Sequence, residues 1–248
     1  MSSNWPDGVG QIILPEIDST NAEAARRAPG LSGPTWILAL RQTKGRGRRG
    51  RDWRDPEGNF AATYVTRPGG PPEQVALRSF IAALALHEAL VTVTGRPDAF
   101  ALKWPNDVLL NGGKLAGILL ESIGHGAQVG HLAIGIGVNL RAAPPADAGA
   151  VAPVSLMGET GLNVTPQEFL ACLAPAFARW EAQLATYGFA AIRQAWLDRA
   201  ARLGQPMIAR MVHDSVTGTF EGIDAHGALQ LRTGEGLRAI PAADVYFA

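Results

Sequence analysis

Short apolar runs alternate with polar triplets along the first third of the chain, and longer apolar stretches follow; the change of period locates most elements. Gln11 to Pro15 reads as a strand and leads into Ser19-Thr20-Asn21 and the Ala-rich Ala22 to Ala28. Thr20 and Glu23 have capping-box spacing, so the triplet predicts a helix start. Trp36 to Leu40 and Asn59 to Thr66 read as strands, and Pro71 to Thr94 as one apolar core helix closed by Gly95. Phe100 to Lys103 is a further strand. Val108 to Leu110 and Leu115 to Leu120 then flank Asn111-Gly112-Gly113 as a hairpin. Val129 to Leu140 is a strand in which Gly135 and Gly137 alternate with Ile136 and Val138. Arg141 to Pro153, rich in Ala and Pro, reads as a surface loop. Thr165-Pro166-Gln167-Glu168 predicts an N-capped helix to about Tyr187, and a second helix covers roughly Phe189 to Leu203. After Gly204 short strands are split by Asp214-Ser215, Ala225-His226-Gly227 and Gly234-Glu235-Gly236, the texture of a small β-barrel.

The 248 residues suffice for one large domain, 1–203, and a small one, 204–248. Hydrophobic residues at 47% and charged residues at 18% describe an ordinary globular enzyme and exclude disorder. The single cysteine, Cys172, permits no internal disulfide, reads as a buried filler, and fits a reducing compartment. Residues 1–10 show no secretory signal and His87 and Glu88 interrupt the longest apolar run, so a cytoplasmic protein without a membrane span is expected. Lys+Arg and Asp+Glu are both 22, a net charge of zero. The balance is uneven, because Arg41, Lys44, Arg46, Arg48, Arg49, Arg51 and Arg54 are opposed locally by Asp52 alone. Something anionic is expected at that stretch.

Four segments can carry chemistry. In Gly45-Arg46-Gly47-Arg48-Arg49-Gly50-Arg51, followed by Trp53, glycines admit phosphate oxygens to backbone amides and arginines supply donor forks. The spacing is neither a Walker loop nor a dinucleotide fingerprint, and composition alone favours a solvated or nucleic-acid-binding loop over a catalytic phosphate clamp. Lys103-Trp104-Pro105-Asn106-Asp107, continuing through Gly112-Gly113-Lys114 to Gly117 and Glu121, puts two lysines, an amide and a carboxylate around one hairpin; ordinary surface charge is the alternative. Ser19-Thr20-Asn21 and Gln42 are uncharged groups able to read a polar heterocycle, or the triplet merely caps a helix. Gly135 to Asn139 marks either a bulge or a close approach. No Cys/His cluster has zinc-ligand spacing.

In this order the segments resemble the biotin–protein ligase family, of the type without an N-terminal DNA-binding domain, over essentially the whole chain. The C-terminal part of the likeness runs through Val154-Ser155-Leu156 to Gly222-Ile223-Asp224 and Gly227-Ala228-Leu229. The resemblance implies an α+β fold: a mixed-sheet, class II synthetase-like biotin/lipoate ligase catalytic domain with a small SH3-like β-barrel at the C-terminus. It implies ATP and biotin as substrates with Mg²⁺, a biotinyl-5′-AMP intermediate, and a biotin carboxyl carrier domain of a carboxylase as acceptor. By the same resemblance Ser19, Thr20, Asn21, Gln42, Gly45, Arg46, Gly47, Arg48, Lys114, Gly117 and Gly135 serve biotin. Arg48, Arg49, Arg51, Trp53, Lys103, Asn106, Asp107 and Asn139 serve the nucleotide. Lys114 and Arg48 are the catalytic pair, and Asp107 either helps hold Mg²⁺ or orients a lysine. Thr43-Lys44 departs from the small residues common there, leaving Lys44 to add to the phosphate field or to point outward. Neither specific DNA binding nor membrane binding is expected, and a homodimer is compatible with the sequence. A lipoate or octanoate ligase of the same fold, and a nucleic-acid-binding module using the Gly/Arg loop, are the competing readings.

Overall fold

The elements were read from a computed structural model that describes residues 5–124, 129–146 and 151–247. In chain order they are β1 (Gly10–Leu14), α1 (Thr20–Arg27), β2 (Thr35–Ala39), β3 (Phe60–Thr66), α2 (Pro72–Ala76), α3 (Arg78–Thr94), β4 (Phe100–Lys103), β5 (Asp107–Leu110), β6 (Gly113–Ile123) and β7 (His131–Val138). Then follow α4 (Leu156–Thr160), α5 (Pro166–Tyr187), α6 (Phe189–Leu197), β8 (Pro206–Arg210), β9 (Ser215–Ile223), β10 (Leu229–Thr233), β11 (Gly236–Ile240) and β12 (Asp244–Phe247). The first seven strands form one sheet in the order β1-β2-β3-β7-β6-β5-β4. Of these neighbours only β1 and β2 pair in parallel, which makes the sheet mixed. The remaining five strands form an antiparallel sheet in the order β11-β10-β9-β8-β12.

Strand alternation assigns the two faces of the large sheet. On β7, Leu132, Ile134, Ile136 and Val138 join Trp36, Leu38, Phe60, Ala62 and Tyr64 in the main core, under α3 and α5. The opposite face carries Ile37, Val65 and Ala133 against Ala24 of α1 and Ala28, which caps its C-terminal end. Farther along that face come Thr63, Gly135 and Gly137, small enough to leave room above the sheet. The main core continues without a break through Trp196, Phe220, Leu231 and Val245 into the second sheet. Trp104 joins the two sheets by donating Nε1–H to the Gly227 carbonyl at 3.0 Å.

Most expected boundaries hold within a residue or two. The hairpin turn is Asn111-Gly112, with φ of 50° and 83°, both in the left-handed region that a tight two-residue turn needs. The α5 cap is a capping box: Glu168 N–H donates to Thr165 Oγ1 while Thr165 N–H donates to the Glu168 carboxylate. Several expectations are corrected. The run from Pro71 to Thr94 breaks at Leu77, where the chain tightens to an i→i−3 bond onto Gln74. The last helix stops at Leu197 because Arg199 and Ala201 pair with Leu102 through backbone bonds. Ser155 caps a short helix, α4, that the polar sequence did not announce. Thr20 and Glu23 do not form a capping box: Ser19 is the N-cap without a side-chain bond, and Glu23 is drawn to Arg26 and Arg27. Within the expected loop 141–153, positions 147–150 lie outside the described residues. By length and composition Pro72–Thr94 could cross a membrane, yet its apolar side chains are packed in the core, from Phe80 to Leu90.

Candidate active site

The α1 face of the large sheet, the Gly/Arg loop and the start of β12 enclose a cavity of about 240 Å³. Ser19, Thr20, Asn21, Gln42, Arg46, Gly47, Arg48, Arg51, Trp53, Lys103, Asn106, Asp107, Lys114, Gly117, Gly135 and Asn139 all line it. Four separate segments of sequence thus converge on one space. Gly45 and Arg49, expected to contact ligand, do not line it, and Lys44 is exposed outside. Gly45 is buried at the neck of the loop, where a Cβ would come within 2.5 Å of the Trp53 carbonyl and 3.1 Å of Gln42 Nε2. Its lack of a side chain therefore serves the loop's closure.

At one end of the cavity uncharged side chains lead, with the Glu121–Arg46 ion pair behind them. Gln42 Oε1 accepts the Thr20 main-chain N–H at 2.8 Å and the Thr20 hydroxyl at 3.1 Å. Thr63, fully buried on β3, lies 2.8 Å from Thr20 Oγ1 and donates to Asn21 Oδ1 at 2.6 Å. The Asn21 amide donates in turn to Glu121 at 2.6 Å. Asn21 can lie this low because Gly135 is beneath it: a Cβ there would meet Asn21 Oδ1 at 2.4 Å. What approaches Gly135 closely in the structure is the Asn21 side chain, not a ligand or another backbone as expected.

The other end is cationic. Lys114 emerges from the hairpin with Nζ 2.7 Å from Asp107 Oδ1, while buried Lys103 stands 3.7 Å from Asp107 Oδ2. Burial pulls the Lys103 pKa down, with Asp107 opposing it. Arg48 reaches Asn106 Oδ1 at 3.3 Å and the Ala243 carbonyl at 3.4 Å. Burial lowers its pKa from the usual guanidinium range, with Asp244 opposing. Asn106 is itself fixed by donating to the Ile118 carbonyl at 2.7 Å, and Asn139 by donating to the Val154 carbonyl at 3.1 Å. Both amides expected to serve a nucleotide are thus partly committed to the protein. The Trp53 indole forms the wall between the two ends. It lies on the paired glycines Gly117 and Gly137, where a Cβ would come within 3.1 and 2.4 Å of the ring, and Lys114 Nζ stands 5.9 Å from its centroid.

A magnesium ligand does not fit Asp107. Its carboxylate sits between two ammonium groups, Lys114 Nζ at 2.7 Å and Lys103 Nζ at 3.7 Å. No group of three or more His, Cys, Asp or Glu able to hold a metal occurs among the described residues. The sequence reading gave no role to Thr63, Asn59, Glu121 or Asp244. Thr63 is an ordinary β-branched residue in a strand, and Asp244 is remote in sequence, so neither announces itself. Yet Asp244 gathers the loop: Arg51 at 2.9 Å, Arg49 at 3.0 Å and Arg48 at 3.8 Å all pair with its carboxylate.

Comparison with known proteins bears on this site. Residues 13–139 match the biotin/lipoate A/B protein ligase family, and residues 203–248 match the biotin protein ligase C-terminal domain. The chain is 60% identical to a biotin–[acetyl-CoA-carboxylase] ligase of Paracoccus denitrificans, over 95% of this chain and 99% of that one. It is 30% identical to the bifunctional ligase/repressor BirA of Bacillus subtilis, over 94% of this chain and 73% of the relative. Among solved structures, the biotin protein ligase of Aquifex aeolicus in complex with biotin and ATP superposes with a TM-score of 0.84 at 26% identity, covering 96% of this chain and 99% of that one.

Proposed function

Because the chain belongs to the biotin/lipoate A/B protein ligase family, we propose that it uses ATP to join biotin to a lysine of a carrier domain, by way of biotinyl-5′-AMP. One observation carries the reading: a single cavity is lined at one end by the uncharged Ser19, Thr20, Asn21 and Gln42, hydrogen-bonded in place, and at the other by a cluster of cations. That division suits a substrate with a neutral polar ring and an anionic tail that must meet a triphosphate.

In this reading Ser19, Thr20, Asn21 and Gln42 hold the ureido ring, which needs donors and acceptors but no charge. The valeryl carboxylate then lies toward Lys114. Its oxygen attacks the α-phosphorus, a P–O bond forms, and pyrophosphate leaves with the electrons of the broken bond. Two anions approach one another in this step, so cations fixed beforehand lower the barrier by cancelling charge as it concentrates. Lys114 is held for this by Asp107, Arg48 and Arg51 face the phosphates from the loop, and Arg46, paired with Glu121 at 3.4 Å, serves the biotin end. Trp53 offers the adenine its free face. Magnesium enters with the nucleotide as part of the substrate in this reading. The mixed anhydride is open to hydrolysis, which gives the enclosing loop a second purpose. In the second step the acceptor amine attacks the acyl carbon and AMP departs.

Calorimetry with biotin and with lipoate tests the assignment. Binding of biotin and not lipoate is expected; preference for lipoate or octanoate would move the chain to the other branch of its family.

A further inference from the structure

The wall of the cavity that carries Asn139 is held from behind by a residue that does not line it. Asn59 stands just before β3 and is 2% exposed. Its side chain grips the stretch that follows β7: Oδ1 accepts the main-chain N–H groups of Arg141 at 2.9 Å and Ala142 at 3.0 Å, and Nδ2 donates to the Ala142 carbonyl at 2.8 Å. A main-chain N–H can only donate and a carbonyl can only accept, so the Asn59 amide has one possible orientation. The same Nδ2 lies 3.5 Å from Asn139 Oδ1, a long contact. Asn139 is directed by the same logic. Its Nδ2 donates to the Val154 carbonyl at 3.1 Å, which leaves Oδ1 for Asn59. Gly58, with φ of 85°, shapes the approach: a Cβ there would come within 2.7 Å of Arg141 Cδ, so glycine lets the Arg141 side chain lie across it.

What the grip carries lies on either side of it. Asn139 lines the cavity just before the gripped residues, and Pro144 and Pro145 line it just after them. Arg141 is exposed and Ala142 half-buried, so water could serve the same main-chain groups without Asn59. What the buried amide adds is a fixed path. Resting on the biotin ligase reading above, in which Asn139 serves the nucleotide, we propose that Asn59 is a positioning residue for ATP: it sets the direction of the Asn139 amide and the course of residues 141–145 along the cavity wall. None of its side-chain hydrogen bonds reaches Ser19, Thr20, Asn21 or Gln42 at the biotin end. The two substrates therefore report on it separately.

Two variants test this. Asn59→Asp keeps the size and the two bonds accepted from Arg141 and Ala142, but sets a carboxylate oxygen, in place of a donor, against the Ala142 carbonyl and Asn139 Oδ1. Asn59→Ala removes every side-chain contact. Pyrophosphate exchange gives the KM for ATP, the KM for biotin and kcat for each. Asn59→Asp is expected to raise the ATP KM about tenfold, as loss of one well-placed hydrogen bond does, with the biotin KM and kcat unchanged. Asn59→Ala is expected to raise the ATP KM at least as far. Calorimetry with biotin alone shows which variants fold, and either one that binds biotin as wild type does decides the question. An unchanged ATP KM in such a variant, a rise in its biotin KM of the same size, or loss of biotin binding in both overturns the positioning role. Wild type that exchanges pyrophosphate with lipoate or octanoate in place of biotin refutes the functional reading alone, and the ATP KM is then compared with that acid.

Discussion

Replacing Asp244 by Asn should release the arginine loop. The sequence suggests that these arginines repel one another until an anion arrives; in the structure an internal anion already holds them. Asp244 is 20% exposed and pairs with Arg48, Arg49 and Arg51, which are 24%, 37% and 57% exposed. Partly solvated pairs of this kind contribute roughly 0.2–1 kcal/mol each. Discounting the most exposed, the two remaining pairs hold the loop by about 0.4–2 kcal/mol, equivalent to a roughly two- to thirtyfold change in the open population. The isosteric Asp244→Asn keeps size and removes the charge. Limited trypsin digestion reads the result, since Arg46, Arg48, Arg49 and Arg51 are cleavage sites, and proteolysis of a briefly opened segment tracks its open population. Cleavage in the loop should rise by about that factor in the free protein, while the melting temperature falls by no more than about 2–4 °C per kcal/mol lost. Biotin with ATP should suppress it in both proteins, because phosphate oxygens replace the lost carboxylate. Equal cleavage of the two free proteins would refute the idea that Asp244 closes the loop.

Lys114→Ala should reduce the rate of pyrophosphate exchange by about 10²–10³ with biotin affinity little changed, as removal of one transition-state contact does; a normal exchange rate would remove Lys114 from the chemistry. Gly137→Ala would put a Cβ 2.4 Å from the Trp53 ring, so Trp53 must shift, at an overpacking cost of about 1–3 kcal/mol. ATP affinity by calorimetry should fall before biotin affinity does, and an unchanged ATP affinity would argue against adenine on that indole. His87 is buried against Phe100, and burial pushes its pKa down to about 4, with Arg199 adding to the effect. The unfolded chain therefore takes up this proton first. The stability due to the neutral ring is present above about pH 6.5 and is lost as pH falls toward 4, by up to about 3 kcal/mol. Denaturant titrations of wild type and His87→Asn should converge or cross over that window; parallel curves would show that His87 is not the titrating group.

The framework was legible where one local rule governs. The capping box at Thr165, the glycine turn at Asn111-Gly112 and the apolar runs of β2 and β7 are set by neighbours in sequence, and the structure follows them. Misreadings fall where a distant partner decides. Leu102 captures Arg199 and Ala201 and so shortens α6, and Thr20 abandons a cap for Gln42. The site shows the same division. Glycines and arginines in one loop advertise an anion, but nothing in sequence says that Gly117 and Gly137 lie side by side beneath Trp53, or that Gly45 clears a path for Gln42. Asn59, Thr63 and Asp244 act through side chains that meet their partners only after folding, and each is an ordinary residue where it stands in the chain.

Activation of biotin by ATP within one cavity is the step on which every other proposed role depends. Exchange of labelled pyrophosphate into ATP, with and without biotin and with lipoate as control, tests it most directly. The account predicts exchange that requires biotin and is lost in Lys114→Ala. Exchange without any acid, or with lipoate and not biotin, would contradict it.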